Sequence, residues 1–170
     1  LRWHCMMPAV GQASAALAAV ALRAGVQPRD VARNFRLVRE VQKALVMPPG
    51  GAPGLALVGY QDLSPDVDSD RLFQAANFLG VRGIMPPRKG TLDFGPYELV
   101  SRREMAVAVA RAYRTMAFAK PFANLSEPLF ADIGAEDLDR GYIESLCAWG
   151  VLEPGGEFRP DETADWPTLY

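Results

Sequence analysis

The chain has 170 residues and a formal net charge of −2, and 49% of its residues are hydrophobic while 22% are charged. That length allows one domain or two small ones, and the composition is typical of a globular protein with a packed core. Nothing in the charge suggests a nucleic-acid-binding surface, because no overall basic excess is present to neutralise phosphates, so we predict no nucleic-acid partner. No apolar run approaches the roughly 20 residues of a membrane-spanning helix, so we predict no membrane span.

The cysteines and acidic residues give little support for a metal site. Cys5 and Cys147 are far apart and neither belongs to a Cys-x-x-Cys pair, and His4 is the only histidine, so we predict no zinc site. A disulfide between the two cysteines stays open, with two buried free thiols as the preferred alternative. Three alternating aspartates imitate the start of a calcium loop: Asp66, Asp68 and Asp70. The central glycine and terminal glutamate of such a loop are missing, so we predict no metal.

The N-terminal region predicts a helix rich in small residues. Residues 1–8 are apolar and predicted to be irregular, and Gly11-Gln12 then opens an Ala-rich run over residues 13–24 that favours helix. Gly25 ends this helix in the manner of a C-terminal glycine. Small residues on nearly every face indicate that the run packs closely against another element.

A second helix and a linker follow. Asn34 can cap a helix that extends to about Val46, because an apolar stripe at helical spacing begins just after it. A stretch rich in proline and glycine then interrupts the helical pattern. We therefore predict a helical tail over residues 1–47, a linker over residues 48–58 and a domain boundary at that linker.

An internal repeat follows the linker. Each copy has a leading aspartate, a helix that ends in glycine followed by a β-branched residue, and a Phe-x-Pro turn. In the first copy these are Asp62, Gly83-Ile84 and Phe94-Gly95-Pro96, and in the second they are Asp132, Gly150-Val151 and Phe158-Arg159-Pro160. The glycines can adopt the left-handed conformation that stops a helix, and the phenylalanines are expected to anchor the returning loop.

A second helix of the repeat begins at a capping box. Ser101 and Glu104 can each satisfy an orphan backbone N–H of the other, and the helix is predicted to continue to about Ala119. In the second copy Asp165 can cap the corresponding helix, and Pro167 is tolerated in its first turn. The predicted fold is therefore mainly α: a helical tail followed by tandem helix–loop–helix repeats.

These motifs resemble the S-layer homology domain. A unit of that family has a leading Asp, a helix ending in Gly-Ile or Gly-Val, a Phe-x-Pro turn and a Thr-Arg-Ala-Glu-like helix start. The resemblance implies one repeat over residues 59–120 and a second, truncated one over residues 121–170, which attach a protein to an acidic cell-wall polymer. It implies that Arg102, with Arg103 beside it, contacts the glycan, while solvated helix-start residues are the alternative for both. The second copy has Trp166 at the arginine position, and the third unit typical of the family is missing from the pattern.

The first 46 residues resemble the C-terminal end of a family of FAD-dependent oxidoreductases. There a Cys-Met segment precedes Gly-Gln-Ala-Ala-Gly, an Ala-rich helix and a Gly-Val-x-Pro-Arg-Asp turn. The matching residues here are Cys5-Met6, Gly11-Gln12-Ala13-Ser14-Ala15 and Gly25-Val26-Gln27-Pro28-Arg29-Asp30. The resemblance implies that Gly11, Gln12 and Ala13 contact FAD in the intact parent protein, where a helix N-terminus would present free N–H groups. A plain helix start is the alternative for these three residues.

Together the resemblances predict the C-terminal fragment of a flavin-dependent oxidoreductase, located outside the cytoplasm and attached to the cell envelope by its repeats. The chain lacks a Gly-x-Gly-x-x-Gly loop, so we expect it to need the remainder of the flavoenzyme domain to bind FAD or to act. The alternative function is a non-enzymatic module of the S-layer homology type, which binds wall polymer or serves structural interactions.

Overall fold

The computed structural model describes residues 2–51, 54–64, 70–88, 90–116, 121–123 and 125–164. Across these ranges the protein is mainly α, as predicted, with six α-helices and no strand. The helices are α1 (Arg2–Ala24), α2 (Pro28–Val31), α3 (Phe35–Val46), α4 (Asp70–Val81), α5 (Arg102–Met116) and α6 (Arg140–Ala148). Within the described ranges, none of the helices combines the length and the apolar character needed to cross a bilayer. The chain forms two compact units, unit 1 (Leu1–Phe94) and unit 2 (Gly95–Tyr170).

Helix α1 is longer than the sequence predicts. Residues 1–8 are predicted to be irregular, but the helix begins at Arg2 and continues through Pro8. That prediction is wrong because a proline removes a single N–H donor, and the alanine-rich sequence behind it favours helix strongly. The other end is as predicted, since α1 ends just before Gly25.

Helix α3 begins and ends where the sequence predicts. The side chain of its cap, Asn34, accepts hydrogen bonds from the N–H groups of Arg36 and Leu37 at 3.1 and 3.4 Å. This satisfies two of the donors that a helix N-terminus leaves unpaired. The apolar side of α3 packs against α1 and buries Leu45 and Val46, so the tail is held together by helix–helix contact.

The segment after α3 is folded back onto that helix. A 3-10 turn spans Pro49–Gly51, and the Leu55 N–H then donates to the Leu45 carbonyl at 2.8 Å. Gly54 lies so close to the Val46 carbonyl that an added Cβ would overlap it. The described part of the Pro/Gly-rich stretch is therefore packed against the tail.

The two compact units divide after Phe94, and not at the predicted linker over residues 48–58. The reason is that α3 packs against α4, which joins the tail and the first repeat helix in one unit. The predicted domain boundaries divide the chain by the family that each segment resembles and not by compactness. They therefore stay a prediction.

Both copies of the repeat end their first helix in the same way. Gly83 after α4 and Gly150 after α6 have φ values of 67° and 74°. In each copy the next residue, Ile84 or Val151, donates its N–H to the carbonyl five residues earlier, at 2.9 and 2.8 Å. This is the Schellman arrangement, in which a left-handed glycine allows orphan carbonyls at the helix end to be paired. The predicted helix stops are confirmed.

A carboxylate joins the start and the end of each repeat. Asp62 accepts a hydrogen bond from the Phe94 N–H at 2.8 Å, and Asp132 accepts one from the Phe158 N–H at 2.7 Å. Each phenylalanine ring then packs on an aromatic ring two residues before the aspartate, with centroids 5.3 and 5.4 Å apart. These partners are Tyr60 and Phe130. We call this arrangement the Asp–Phe clamp, and it explains why both copies share an aspartate and a phenylalanine.

The capping box at the start of α5 is confirmed. The Ser101 N–H donates to the Glu104 carboxylate at 2.9 Å, and the Glu104 N–H donates to the Ser101 hydroxyl at 3.2 Å. Behind this start, the buried Ala106 and Ala110 belong to a core that includes Ile143 of α6. The cap therefore fixes where the first residues of α5 lie relative to α6.

Arg159 occupies a backbone conformation that favours glycine. Among the described residues it is the only non-glycine residue with positive φ, at 57°. The corresponding residue of the first copy is Gly95, with φ of 73°. A side chain in the left-handed region brings its Cβ close to the following carbonyl, so the turn of the second copy is strained where that of the first is not.

We expect Arg159→Gly to raise the free energy of unfolding of unit 2 by about 1 kcal/mol, because it removes that strain. Urea denaturation followed by circular dichroism measures the change. Arg159→Ala is the control, since it removes the surface ion pairs of the side chain and keeps the strained Cβ. If the glycine variant is no more stable than the alanine variant, the strain is not significant.

Candidate functional site

The candidate glycan-binding site lies at the start of α5. Arg102 is the first residue of the helix and is half-buried. Its Nε donates to the Phe158 carbonyl at 2.7 Å, and its guanidinium lies over the Phe158 ring, 5.3 Å from the centroid. The phenylalanine of the second Asp–Phe clamp therefore also orients the arginine.

A shallow cleft borders Arg102. Its other lining residues are apolar: Met105, Ala106, Leu146, Leu152, Phe158 and Ala164. The cleft has a volume of about 10 Å³, which is space for one group of the size of water. A sugar ring does not fit inside it. A glycan would have to lie across the mouth, with a small group such as a carboxylate oxygen beside the guanidinium.

The first backbone donors of α5 are already used within the protein. The Arg102 N–H donates to the Glu162 carbonyl at 2.8 Å, and the Arg103 N–H donates to the Pro160 carbonyl at 2.9 Å. An open helix N-terminus would offer these groups to an anion. An acidic ligand at this place therefore depends on side chains for its recognition.

Arg103 is directed into a group of carboxylates. Its Nη1 lies 2.7 and 2.8 Å from the two oxygens of Asp137 and 3.5 Å from Asp139, and its Nε lies 3.9 Å from Asp161. The hydrogen bond to Asp137 raises the pKa of Arg103. Burial raises the pKa of Asp137, but hydrogen bonds from Arg103 and from the Asp139 N–H bring that pKa below its ordinary value. Of the two predicted glycan residues, Arg102 borders the cleft while Arg103 is engaged with the protein's own acids.

The predicted flavin-contact residues lie in the interior of α1. Because the helix begins at Arg2, the N–H groups of Gly11, Gln12 and Ala13 belong to the regular hydrogen-bond ladder. The prediction that a helix starts at Gly11 is therefore wrong. Gly11 is exposed, with nothing within 4 Å of an added Cβ, while Gln12 and Ala13 are half-buried. These residues do not fit FAD in the manner predicted, as a helix N-terminus facing an anion.

Two buried side chains missed by the sequence reasoning hold the segment that enters each repeat. Asn77 on α4 accepts a hydrogen bond from the Val58 N–H at 3.0 Å, and Glu144 on α6 accepts one from the Leu129 N–H at 3.1 Å. Both side chains are almost fully buried. Both lie six residues before the glycine that stops their helix. This shared spacing is the feature of the sequence from which their common role could have been predicted.

Glu144 also neutralises a buried arginine. The Arg140 Nε donates to Glu144 at 2.8 Å, and the Arg140 Nη2 donates to the Leu125 carbonyl at 2.7 Å. The two side chains are 11% and 2% exposed, so each charge is compensated where water has little access. This pair stabilises the fold and lies away from the lining of the cleft.

Several predictions lie outside the described residues. They are the aspartates at positions 66 and 68, the helix end near Ala119, the Asp165 cap with Pro167, and the side chains of His4 and Cys5. Within the described part of the chain, Cys147 is a free and half-buried thiol whose pKa is raised by burial. The same part contains no group of three or more side chains that could hold a metal ion.

The chain was compared with protein families, curated proteins and solved structures. It matches no family model, and the comparisons with curated proteins and with solved structures give no match. The two family resemblances therefore stay predictions from the motifs, and function has to be argued from the geometry of the repeats and of the tail.

Proposed function

We propose that this chain is an attachment module whose repeats bind an acidic polymer of the cell envelope, outside the cytoplasm. The observation that supports the proposal is that the same set of local contacts occurs in both copies of the repeat. Each copy has a carboxylate that accepts a hydrogen bond from a phenylalanine N–H, at 2.8 and 2.7 Å, and a left-handed glycine that stops a helix. These residues are the ones through which the sequence resembles the S-layer homology domain, so the geometry supports that resemblance.

Arg102 is the proposed contact to the polymer. Its Nε is held by the Phe158 carbonyl, so the two terminal nitrogens are the donors proposed for the polymer. A guanidinium recognises a carboxylate or phosphate through parallel hydrogen bonds, which a lysine cannot reproduce. The apolar lining of the cleft would contact only the small group that enters it, while the sugar ring lies across the mouth.

Replacing Arg102 with alanine is expected to weaken binding to a purified acidic cell-wall polysaccharide about tenfold or more, as hydrogen bonds to charged groups are stronger than neutral ones. Isothermal titration calorimetry measures the affinity. Arg102→Lys should lie between the alanine variant and the wild type, since it keeps the charge and loses the planar fork.

Arg114→Ala is the matched control for that experiment, because Arg114 is an exposed arginine on the same helix. Circular dichroism establishes that each variant is folded. Undiminished binding by a folded Arg102→Ala variant would contradict the proposed site. A wild-type chain that is folded and binds no polymer would favour a structural interaction module.

We also propose that residues 1–47 are the tail of a flavin-dependent oxidoreductase domain. The observation that favours this is the uncovered apolar surface of α1, where Met7, Val10 and Leu22 are 66%, 58% and 82% exposed. Exposed Gly11 lies on the same side of the helix, and its small size allows another backbone to approach. Met7 and Val10 are three residues apart and are therefore neighbours on the helix surface, and an exposed apolar patch of this kind marks a contact with another element. The remainder of the flavoenzyme domain is the proposed partner, with FAD bound in that intact parent.

The visible absorption spectrum of the parent protein tests this second proposal. We expect a flavin band for the folded parent protein purified with its native upstream region. A folded parent that stays colourless after reconstitution with FAD would exclude the flavoenzyme assignment and leave the attachment module in place.

A further inference from the structure

Charge is divided unequally between the two compact units. Unit 2, which contains Arg102, has 13 acidic and 7 basic residues, whereas unit 1 has 7 acidic and 11 basic residues. The field of an acidic unit opposes the approach of an acidic polymer and lowers its association rate. If the chain binds such a polymer, a second surface has to supply long-range attraction.

Unit 1 contains a basic segment, residues 23–43, whose positive charge can attract an acidic polymer. Its six basic residues are Arg23, Arg29, Arg33, Arg36, Arg39 and Lys43, against two acidic residues, Asp30 and Glu40. All of the basic residues except Arg39 are exposed. Arg33 lies in the turn between α2 and α3, and the others lie on α1, α2 and α3. These helices pack against one another, so the charges belong to one folded body.

The two acids leave the segment with a formal net charge of +4, six basic minus two acidic residues. Arg33 lies 3.8 Å from Asp30, but its side chain is 82% exposed, and ion pairs of this kind contribute little in water. Arg36 and Lys43 are seven residues apart on α3, which places them on the same face and about 10 Å apart along the axis. A polymer with a negative charge on successive sugars can contact both cations at once.

An exposed aromatic ring precedes these cations at the first residue of α3. Phe35 is 65% exposed, and the Arg39 guanidinium lies over its ring at 4.3 Å from the centroid. An aromatic ring presents an apolar face against which the C–H groups of a sugar can pack. Cations beside an exposed ring are the combination that an acidic polysaccharide requires, since its sugars carry both charges and apolar faces.

We infer that the basic segment is a second contact surface for the acidic polysaccharide. It supplies attraction that depends on charge and not on sugar sequence, while Arg102 supplies local recognition in unit 2. The identity of the polymer rests on the proposed function, but the surface is argued from charge and exposure in unit 1. The acidic unit of a second copy of the chain is the competing occupant.

Binding of polygalacturonate, a polymer of carboxylated sugars, tests the inference. Arg33→Gln combined with Lys43→Gln is expected to weaken binding about tenfold at low ionic strength and to reduce the dependence of affinity on salt, because fewer counterions are released. Arg71→Gln combined with Arg114→Gln removes the same charge at exposed positions outside the segment and should have a much smaller effect.

The outcomes separate this inference from the proposed site. If the segment variant binds like its control while Arg102→Ala is impaired, the segment is not a contact surface and the site in unit 2 stands. If the segment variant is impaired and Arg102→Ala is not, the segment stands and the site in unit 2 fails. Salt-sensitive self-association of the wild type, lost in the segment variant without any polymer binding, would overturn the inference in favour of a second copy.

Discussion

Replacing Glu144 with alanine is expected to lower the free energy of unfolding of unit 2 by about 3–5 kcal/mol, the range for removing one partner of a buried ion pair. Glu144 accepts hydrogen bonds from the Arg140 Nε at 2.8 Å and from the Leu129 N–H at 3.1 Å. Without it, a guanidinium that is 11% exposed has no counter-charge, and a backbone donor loses its acceptor. The smaller alanine side chain also leaves a cavity, because the Glu144 side chain is 2% exposed.

Urea denaturation of the whole chain, followed by circular dichroism, measures this loss. Glu136→Ala is the control, because it removes an exposed carboxylate from the same unit and should change stability by less than about 0.5 kcal/mol. Replacing both Arg140 and Glu144 with leucine should recover part of the stability, since an apolar pair leaves no unpaired charge, while the Leu129 N–H still lacks the acceptor that Glu144 supplied. A loss below about 1 kcal/mol for Glu144→Ala would mean that water reaches Arg140 and compensates it.

The features that the sequence predicts well are those with a local cause. A helix stop at Gly83 or Gly150 and a helix start at Ser101 each depend on a few adjacent residues, and each is confirmed at the predicted position. The Asn34 cap belongs to the same class. In these cases the residue type supplies the conformation or the hydrogen bond itself, so no knowledge of the tertiary fold is needed.

The features that the sequence does not predict depend on partners far along the chain. Glu144 is a surface residue by composition, and its burial follows from Arg140 on the same helix and the Leu129 N–H fifteen positions earlier. Arg103 has the sequence of a solvated helix start, yet Asp137 accepts from it across 34 positions. Such pairs form only when the loops between the partners have their tertiary positions. The sequence pattern does not predict those positions.

At the candidate site, too, the feature with a local cause is predicted and the contact with a distant residue is not. The sequence places Arg102 at the start of a helix, and the capping box makes that placement reliable. Its hydrogen bond to the Phe158 carbonyl spans 56 positions and could not be predicted from spacing. The tail shows the opposite error, because Gly11 was assigned to a helix start on a local pattern while the helix begins at Arg2.

A second large effect is expected at Gly80, in the last turn of α4. Replacing a helical glycine with alanine ordinarily stabilises a helix, by up to about 1 kcal/mol. Here an added Cβ would overlap the Tyr60 hydroxyl and touch Val58. The hydroxyl is held by a hydrogen bond that it donates to the Met85 carbonyl at 2.9 Å, so it cannot move aside freely. We expect Gly80→Ala to lower the free energy of unfolding of unit 1 by about 1–3 kcal/mol, the usual result of overpacking.

The second repeat indicates how this loss can be reversed. At the positions that correspond to Tyr60 and Gly80 it has Phe130 and Cys147, a ring without a hydroxyl opposite a residue with a side chain. Tyr60→Phe alone should cost about 1 kcal/mol through the lost hydrogen bond. Combined with Gly80→Ala, it should instead restore stability, because the methyl group then occupies the space of the hydroxyl. Urea denaturation of the four proteins of this double-mutant cycle gives the coupling energy. Losses that simply add would show that the glycine is not there to accommodate the hydroxyl.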